Sequence, residues 1–233
     1  MYSRIFCIFA VIKFQIMERE EYAYERLQKE IENLLRKYDS EITEEELQNA
    51  VTDNIGAKYT QDWSKLIKVP EGLTSYEVKE GTKVIANFAF DSCTQLISVT
   101  IPDSVKVIGK GAFLYCFKLQ SIVIPNGIGE IRLQVFDHCR SLTSVTIPES
   151  VEYIGEYAFA YCSTLKEVNI PNPDLKTIES MAFAGCKSLT DCQYSKTAKL
   201  GVGVFLGCES LKNKPVEEFY FEGVRLKHRY KEG

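Results

Sequence analysis

Eight cysteines are the most chemically versatile side chains in this 233-residue chain. Six of them recur at a nearly constant interval: Cys93, Cys116, Cys139, Cys162, Cys186 and Cys208. A periodic row of thiols is compatible with disulfide bonding, with zinc ligation, or with packing as small buried hydrophobic groups. The choice among these depends on how the repeating segments stack on one another.

Geometry favours the buried interpretation of this cysteine column. If each period forms one coil, in-register side chains of adjacent coils run parallel, with Cβ atoms about 4.8 Å apart, whereas a disulfide needs about 3.8 Å. A straight row of thiols also does not converge tetrahedrally on zinc. We therefore predict small buried hydrophobic side chains, and keep disulfides and a metal site as alternatives.

Other chemistry has little support in the residues. The chain contains no G-x-x-x-x-G-K-[ST], no G-x-G-x-x-G after a strand, no G-x-S-x-G and no H-E-x-x-H. Its two histidines are His138 and His228. Although His138 precedes Cys139, adjacent side chains project in different directions, so we do not expect a nucleophile–base pair. We predict no enzyme activity, no catalytic or metal-binding residues and no cofactor.

The cysteines belong to a longer repeated unit, which is clearest at residues 142–164. This unit reads L-x-x-V-x-I-P-x-x-V-x-x-I-x-x-x-A-F-x-x-C-x-x. The alternation in L-x-x-V-x-I predicts a strand that ends at Pro148, and the A-F-x-x-C spacing suits one short helical turn. Each unit has a narrow apolar face that it cannot bury alone, so the units are expected to stack as a solenoid.

One column of this unit is aromatic, with phenylalanine three positions before each cysteine: Phe90, Phe113, Phe136, Phe159, Phe183 and Phe205. Since stacked coils lie about one strand separation apart, we expect these rings to pack as an offset ladder in the core.

The L-x-x-V-x-I-P and A-F-x-x-C motifs resemble the BspA-like class of leucine-rich repeats, whose units have the same length as the unit at 142–164. The resemblance covers residues 73–211, about six units. It implies an α/β leucine-rich-repeat solenoid with a parallel sheet on the concave side and short helical or irregular segments on the convex side. It also implies a binding or adhesion role rather than catalysis.

Composition divides the chain into four parts: an apolar extension at 1–17, a helical cap at 18–72, the repeats at 73–211 and a β-type cap at 212–233. The net charge is −4, and the acidic excess precedes the repeats. This balance argues against a nucleic-acid partner, and no apolar run reaches the roughly 18 residues of a membrane span.

The segment 1–17, which reads MYSRIFCIFAVIKFQIM, leaves three interpretations open. It mimics a weak signal peptide, but Lys13 interrupts the apolar stretch and no small-x-small cleavage site follows. Alternatively, Met17 is the true start, or the segment is a structural strand. The apolar stripe within 18–38 predicts a helix.

A second helix is predicted to begin after Thr43, because Thr43 and Glu46 form a capping-box pattern, and to end near Gly56. The two helices would form a hairpin that caps the first coil. The alternative for the helix at 18–38 is a coiled-coil homodimer.

The outward positions of the predicted strands form the candidate partner-binding surface on the concave face. They are mainly small and polar: Ser98, Thr100, Ser121, Val123, Ser144, Thr146, Glu167 and Asn169. They include neither aromatic residues nor arginine, the usual binding hot spots, so a merely solvated strand face is the alternative.

A second candidate surface is the short aromatic row Tyr115, His138 and Tyr161, each directly before a column cysteine. We interpret this row as local packing against the next coil in preference to a recognition strip.

Together these features predict a non-catalytic protein–protein interaction module whose partner is a protein of unknown identity. An exported cell-surface adhesin that binds host or matrix proteins is the first alternative. A structural unit that dimerises through the helix at 18–38 is the second. We favour a cytoplasmic location, with the cell surface or secretion as the alternative.

Overall fold

The computed structural model describes residues 40–222 and 225–231. The predicted extension at 1–17 and the predicted helix at 18–38 lie outside these residues. Their interpretations as a signal, a strand, a cap or a dimerisation helix therefore stay predictions.

The repeats form a solenoid of about six coils, and each coil contributes one short strand to a first column of strands. These strands are β4 (Ser75–Glu77), β6 (Ser98–Thr100), β8 (Ser121–Val123), β10 (Ser144–Thr146), β12 (Glu167–Asn169) and β14 (Asp191–Gln193). They pair in parallel as β4–β6, β8–β10 and β12–β14. Val145 faces Ile122 and Val168 faces Cys192, so positions one repeat apart lie in register.

The coils also build a second column of strands, which the sequence analysis did not predict. Its members are β3 (Lys65–Lys68), β5 (Val84–Ile85), β7 (Val107–Ile108), β9 (Glu130–Ile131), β11 (Tyr153–Ile154), β13 (Thr177–Ile178) and β15 (Lys199–Leu200). They are parallel within the sets β3–β5–β7 and β9–β11–β13–β15. Most of these strands are too short to show alternation in sequence.

The prediction of a helical turn at A-F-x-x-C is wrong. In the clearest unit, Tyr157 and Tyr161 have φ values of 56° and 57°, outside the helical region. The amide of Phe159 donates to the carbonyl of Ala182 at 2.7 Å, in the next coil. Alternate amides of this segment bond to the next coil, and the amides between them bond three residues back as in a series of turns, so no helix forms. The described part of the chain is accordingly almost entirely strands and turns, and not α/β.

The N-terminal end of the described solenoid is also mainly β. Helix α1 covers Glu44–Gln48, and the predicted capping box at Thr43 and Glu46 is confirmed, with reciprocal bonds of 3.1 and 2.9 Å. The helix ends before Asn49 and not at Gly56. Strands β1 (Val51–Thr52) and β2 (Lys58–Tyr59) follow. Strand β1 pairs with β2, and β2 pairs with β3, in both cases antiparallel. Gly56, with a φ of 95°, lies in the turn between them.

A buried hydrogen-bond chain ties this β cap to the first coil. The hydroxyls of Tyr59 and Tyr76 lie 2.9 Å apart, and Tyr76 donates to Oδ2 of Asp53 at 2.7 Å. Burial raises the pKa of Tyr76, and the bonds to Tyr59 and Asp53 raise it further. The tyrosine hydroxyls therefore stay protonated and act as donors that hold the β1–β2 turn against the repeat.

The predicted phenylalanine ladder is confirmed and forms the centre of the core. All six rings are buried, and successive rings are stacked with centroids 4.6 to 5.8 Å apart. Such spacing is in the favourable range for offset aromatic pairs. Beyond the last coil, β16 (Val216–Glu222) and β17 (Arg225–Lys231) form an antiparallel hairpin.

Candidate functional site

The first strand column brings the eight sequence-predicted residues to one face. All are exposed: Ser98, Thr100, Ser121, Val123, Ser144, Thr146, Glu167 and Asn169. Each strand alternates, so that its central residue points to the core and the two flanking residues point outward. Their role in binding a partner stays a prediction.

Residues that face each other on paired strands give this strand face a repeated pattern of side chains. Ser121 faces Ser144, and Val123, which is 65% exposed, faces Thr146. At the C-terminal end, Glu167 faces Asp191. The face therefore offers a row of hydroxyl groups that ends in paired carboxylates.

A second exposed feature is the aromatic ridge, defined here as Tyr115, His138 and Tyr161. The ring of His138 lies between the two tyrosines, with centroids 5.1 Å from Tyr115 and 4.5 Å from Tyr161. Tyr161 extends over Gly185 in the next coil, where an added Cβ would lie 2.7 Å from the ring. The predicted local packing against the next coil is thus confirmed, yet the tyrosines keep 39% and 48% of their surface exposed.

The ridge includes a carboxylate–imidazole contact that sequence reasoning missed. Oδ1 of Asp137 lies 2.7 Å from Nδ1 of His138, and the Gln134 amide donates to Oδ2. Asp137 is only 4% exposed, and burial raises its pKa against the opposing effect of His138. The sequence did contain a signal for this contact, because Asp137 is a charged residue at a position where the two neighbouring coils have Leu114 and Ala160.

The cysteine column is buried and unpaired, as predicted. Its packing has one feature beyond hydrophobic filling, since the thiols bond to the preceding coil. Sγ of Cys116, Cys139 and Cys162 donates to the carbonyls of Phe90, Phe113 and Phe136 at 3.2 to 3.3 Å. The same carbonyls accept the amide of the cysteine in their own coil, so each buried oxygen has two donors.

Because all six column thiols are buried, we expect them to be unreactive in the folded protein. Burial raises the pKa of Cys139 and Cys162, and the neighbouring thiols add to the shift, so the reactive thiolate is suppressed. Titration with a chromogenic disulfide reagent at neutral pH should label the column cysteines only after denaturation. Rapid labelling of six thiols in the native state would contradict the buried column.

Neither a metal centre nor a membrane span is indicated in the part of the chain that the structure describes. Within residues 40–222 and 225–231, no three His, Cys, Asp or Glu side chains are grouped to hold a metal ion. No helix there has the length and apolar composition needed to cross a membrane.

The fold and the repeated columns define a leucine-rich-repeat solenoid. Residues 83–212, more than half of the chain, match six copies of the BspA type leucine rich repeat region. The chain therefore belongs to the BspA-type leucine-rich repeat family. No curated protein sequence matches it.

Solved structures of bacterial proteins share this fold. A leucine-rich repeat protein from Bacteroides ovatus is 28% identical with a TM-score of 0.59, and the match covers 75% of this chain and 46% of that one. The T. pallidum leucine-rich repeat protein is 28% identical with a TM-score of 0.51, over 68% and 88% of the two chains. This chain thus spans less than half of the B. ovatus protein.

A more distant match shows the fold alone. The pneumococcal vaccine antigen PcpA is 19% identical with a TM-score of 0.51, over 66% of this chain and 48% of that one.

Proposed function

We propose that this chain is a non-catalytic protein-interaction module that binds an extended segment of a partner protein along the first strand column. The observation that carries the proposal is the exposure of the eight outward residues on four consecutive strands of this column, of which β8 and β10 pair in register. Membership of a repeat family supports a binding role in preference to catalysis.

The chemistry of the face indicates how a partner would be recognised. Small side chains such as Ser121 and Ser144 let a partner backbone approach closely, and their hydroxyls both donate and accept hydrogen bonds. Val123 adds a central apolar contact. Without large anchors on this face, recognition depends on shape and hydrogen bonding.

A bulky substitution in the middle of the face tests the proposal. We expect Ser144→Arg to weaken the binding of a partner captured from native cells by about tenfold or more, because the long arginine side chain blocks close approach of the partner backbone. The matched control is Asn126→Arg, which adds the same group at an exposed position outside the strands. Partner affinities are measured by biolayer interferometry, and equal affinity for all three proteins would contradict the proposed face.

We also propose a cytoplasmic location, which the unpaired thiols support because disulfides dominate in oxidising compartments. The adhesin alternative requires export. Fractionation of native cells with N-terminal sequencing separates the two. A start at Met17 in the cytosolic fraction supports the proposal, and a processed chain at the surface supports the adhesin.

A further inference from the structure

The geometry points to a second interaction surface, on the aromatic ridge, that binds an acidic peptide segment. This surface lies on the turns and not on the first strand column. It consists of the ridge residues Tyr115, His138 and Tyr161 together with Phe117 and Arg140.

The backbone conformation at the ridge is costly for the residues it carries. Tyr115, His138 and Tyr161 have φ values of 58°, 62° and 57°, in the left-handed region that favours glycine. The equivalent position of the next coil is Gly185, which adopts the same region without a Cβ. Bulky aromatic groups therefore occupy positions where glycine would cost less, and the tilted ring contacts between coils offset part of that cost.

The ridge also has the composition of a binding hot spot, which the first strand column lacks. Tyrosine and arginine dominate the energetics of protein interfaces. The Arg140 guanidinium lies 5.0 Å from the ring centroid of Phe117, whose ring is 5.9 Å from Tyr115. Arg140 is exposed, and within the described residues it forms no ion pair with a carboxylate.

The positive charge on this surface favours an acidic peptide as its ligand. The surface presents the charge of Arg140, which has no carboxylate partner among the described residues, and Lys118, next to Phe117 in the chain, donates to the side-chain oxygen of Gln95 at 2.6 Å. The carboxylate of Asp137 is buried under the ridge and engaged by Nδ1 of His138. We therefore expect a partner carboxylate to pair with Arg140.

The direct test uses two short fluorescent peptides of equal length, one alternating glutamate and leucine and the other glutamine and leucine. We expect the full chain to bind the glutamate peptide at least about tenfold more tightly by fluorescence anisotropy. Arg140→Gln and Tyr161→Gly should each lose about tenfold, and the glycine variant suits the left-handed backbone. Equal binding of the two peptides, or of neither, would overturn the proposal.

A control variant separates this surface from the proposed strand face. Ser144→Gln, which enlarges a side chain of the first strand column without adding charge, should leave glutamate-peptide binding unchanged. If Ser144→Gln weakens binding of the glutamate peptide and Arg140→Gln does not, the ridge proposal fails while the strand-face proposal stands.

Discussion

Phe136→Ala should lower the free energy of unfolding by about 3–5 kcal/mol. Phe136 is fully buried in the middle of the ring ladder, 5.4 Å from the centroid of Phe113 and 5.2 Å from that of Phe159. Truncation removes the side chain from the core and leaves a cavity that two stacked coils cannot easily close. Urea denaturation followed by far-ultraviolet circular dichroism measures the change.

Phe136→Leu is the matched control for this ladder position. Leucine fills most of the volume, so the variant should lose markedly less stability than the alanine variant. A loss below about 1 kcal/mol for Phe136→Ala would place Phe136 outside the core and contradict the ladder.

Gly109→Ala is expected to have the next largest effect, through coil-to-coil spacing and not through a cavity. A Cβ at Gly109 would lie 2.5 Å from the backbone nitrogen of Asn87 and 2.6 Å from the carbonyl carbon of Ala86. Since both obstacles are backbone atoms of the preceding coil, the coils must separate, with a loss of about 1–3 kcal/mol or more. The same urea titration measures it.

Gly129→Ala serves as the comparison for Gly109→Ala. A Cβ at Gly129 meets no atom within 4 Å, and its backbone is not left-handed. The substitution should leave stability unchanged or raise it by about 0.4–1 kcal/mol, because alanine restricts the unfolded chain. Equal losses at both glycines would mean that coil spacing does not decide the outcome.

The sequence was sufficient to predict features that repeat. Because the cysteine and phenylalanine columns recur in every unit, stacking was the arrangement that buried all of them, and the structure confirms both columns. The eight outward positions of the strand face followed from the same alternation. The Thr43–Glu46 capping box was local enough to be identified from two residues.

Other features depended on contacts between distant segments. The backbone at Tyr157 and Tyr161 is stabilised by amide bonds to the next coil, which outweigh the local preference for a helical turn. Gly56 resembled a helix end, but the pairing of Val51 with Tyr59 makes it part of a hairpin turn. The contact between Asp137 and His138 depends on the directions of their side chains where the backbone of His138 is left-handed, and the sequence alone does not show that conformation.

The in-register pairing of residues one repeat apart also has an evolutionary consequence. Each internal coil contacts the coils before and after it through the same columns, so a duplicated unit of the same length would find complementary surfaces on both sides. Genetic duplication or loss of a whole unit thus changes length without changing the core. Changes of a single residue are accommodated in the turns, since the intervals from Cys162 to Cys186 and from Cys186 to Cys208 are 24 and 22 residues while the columns stay in place.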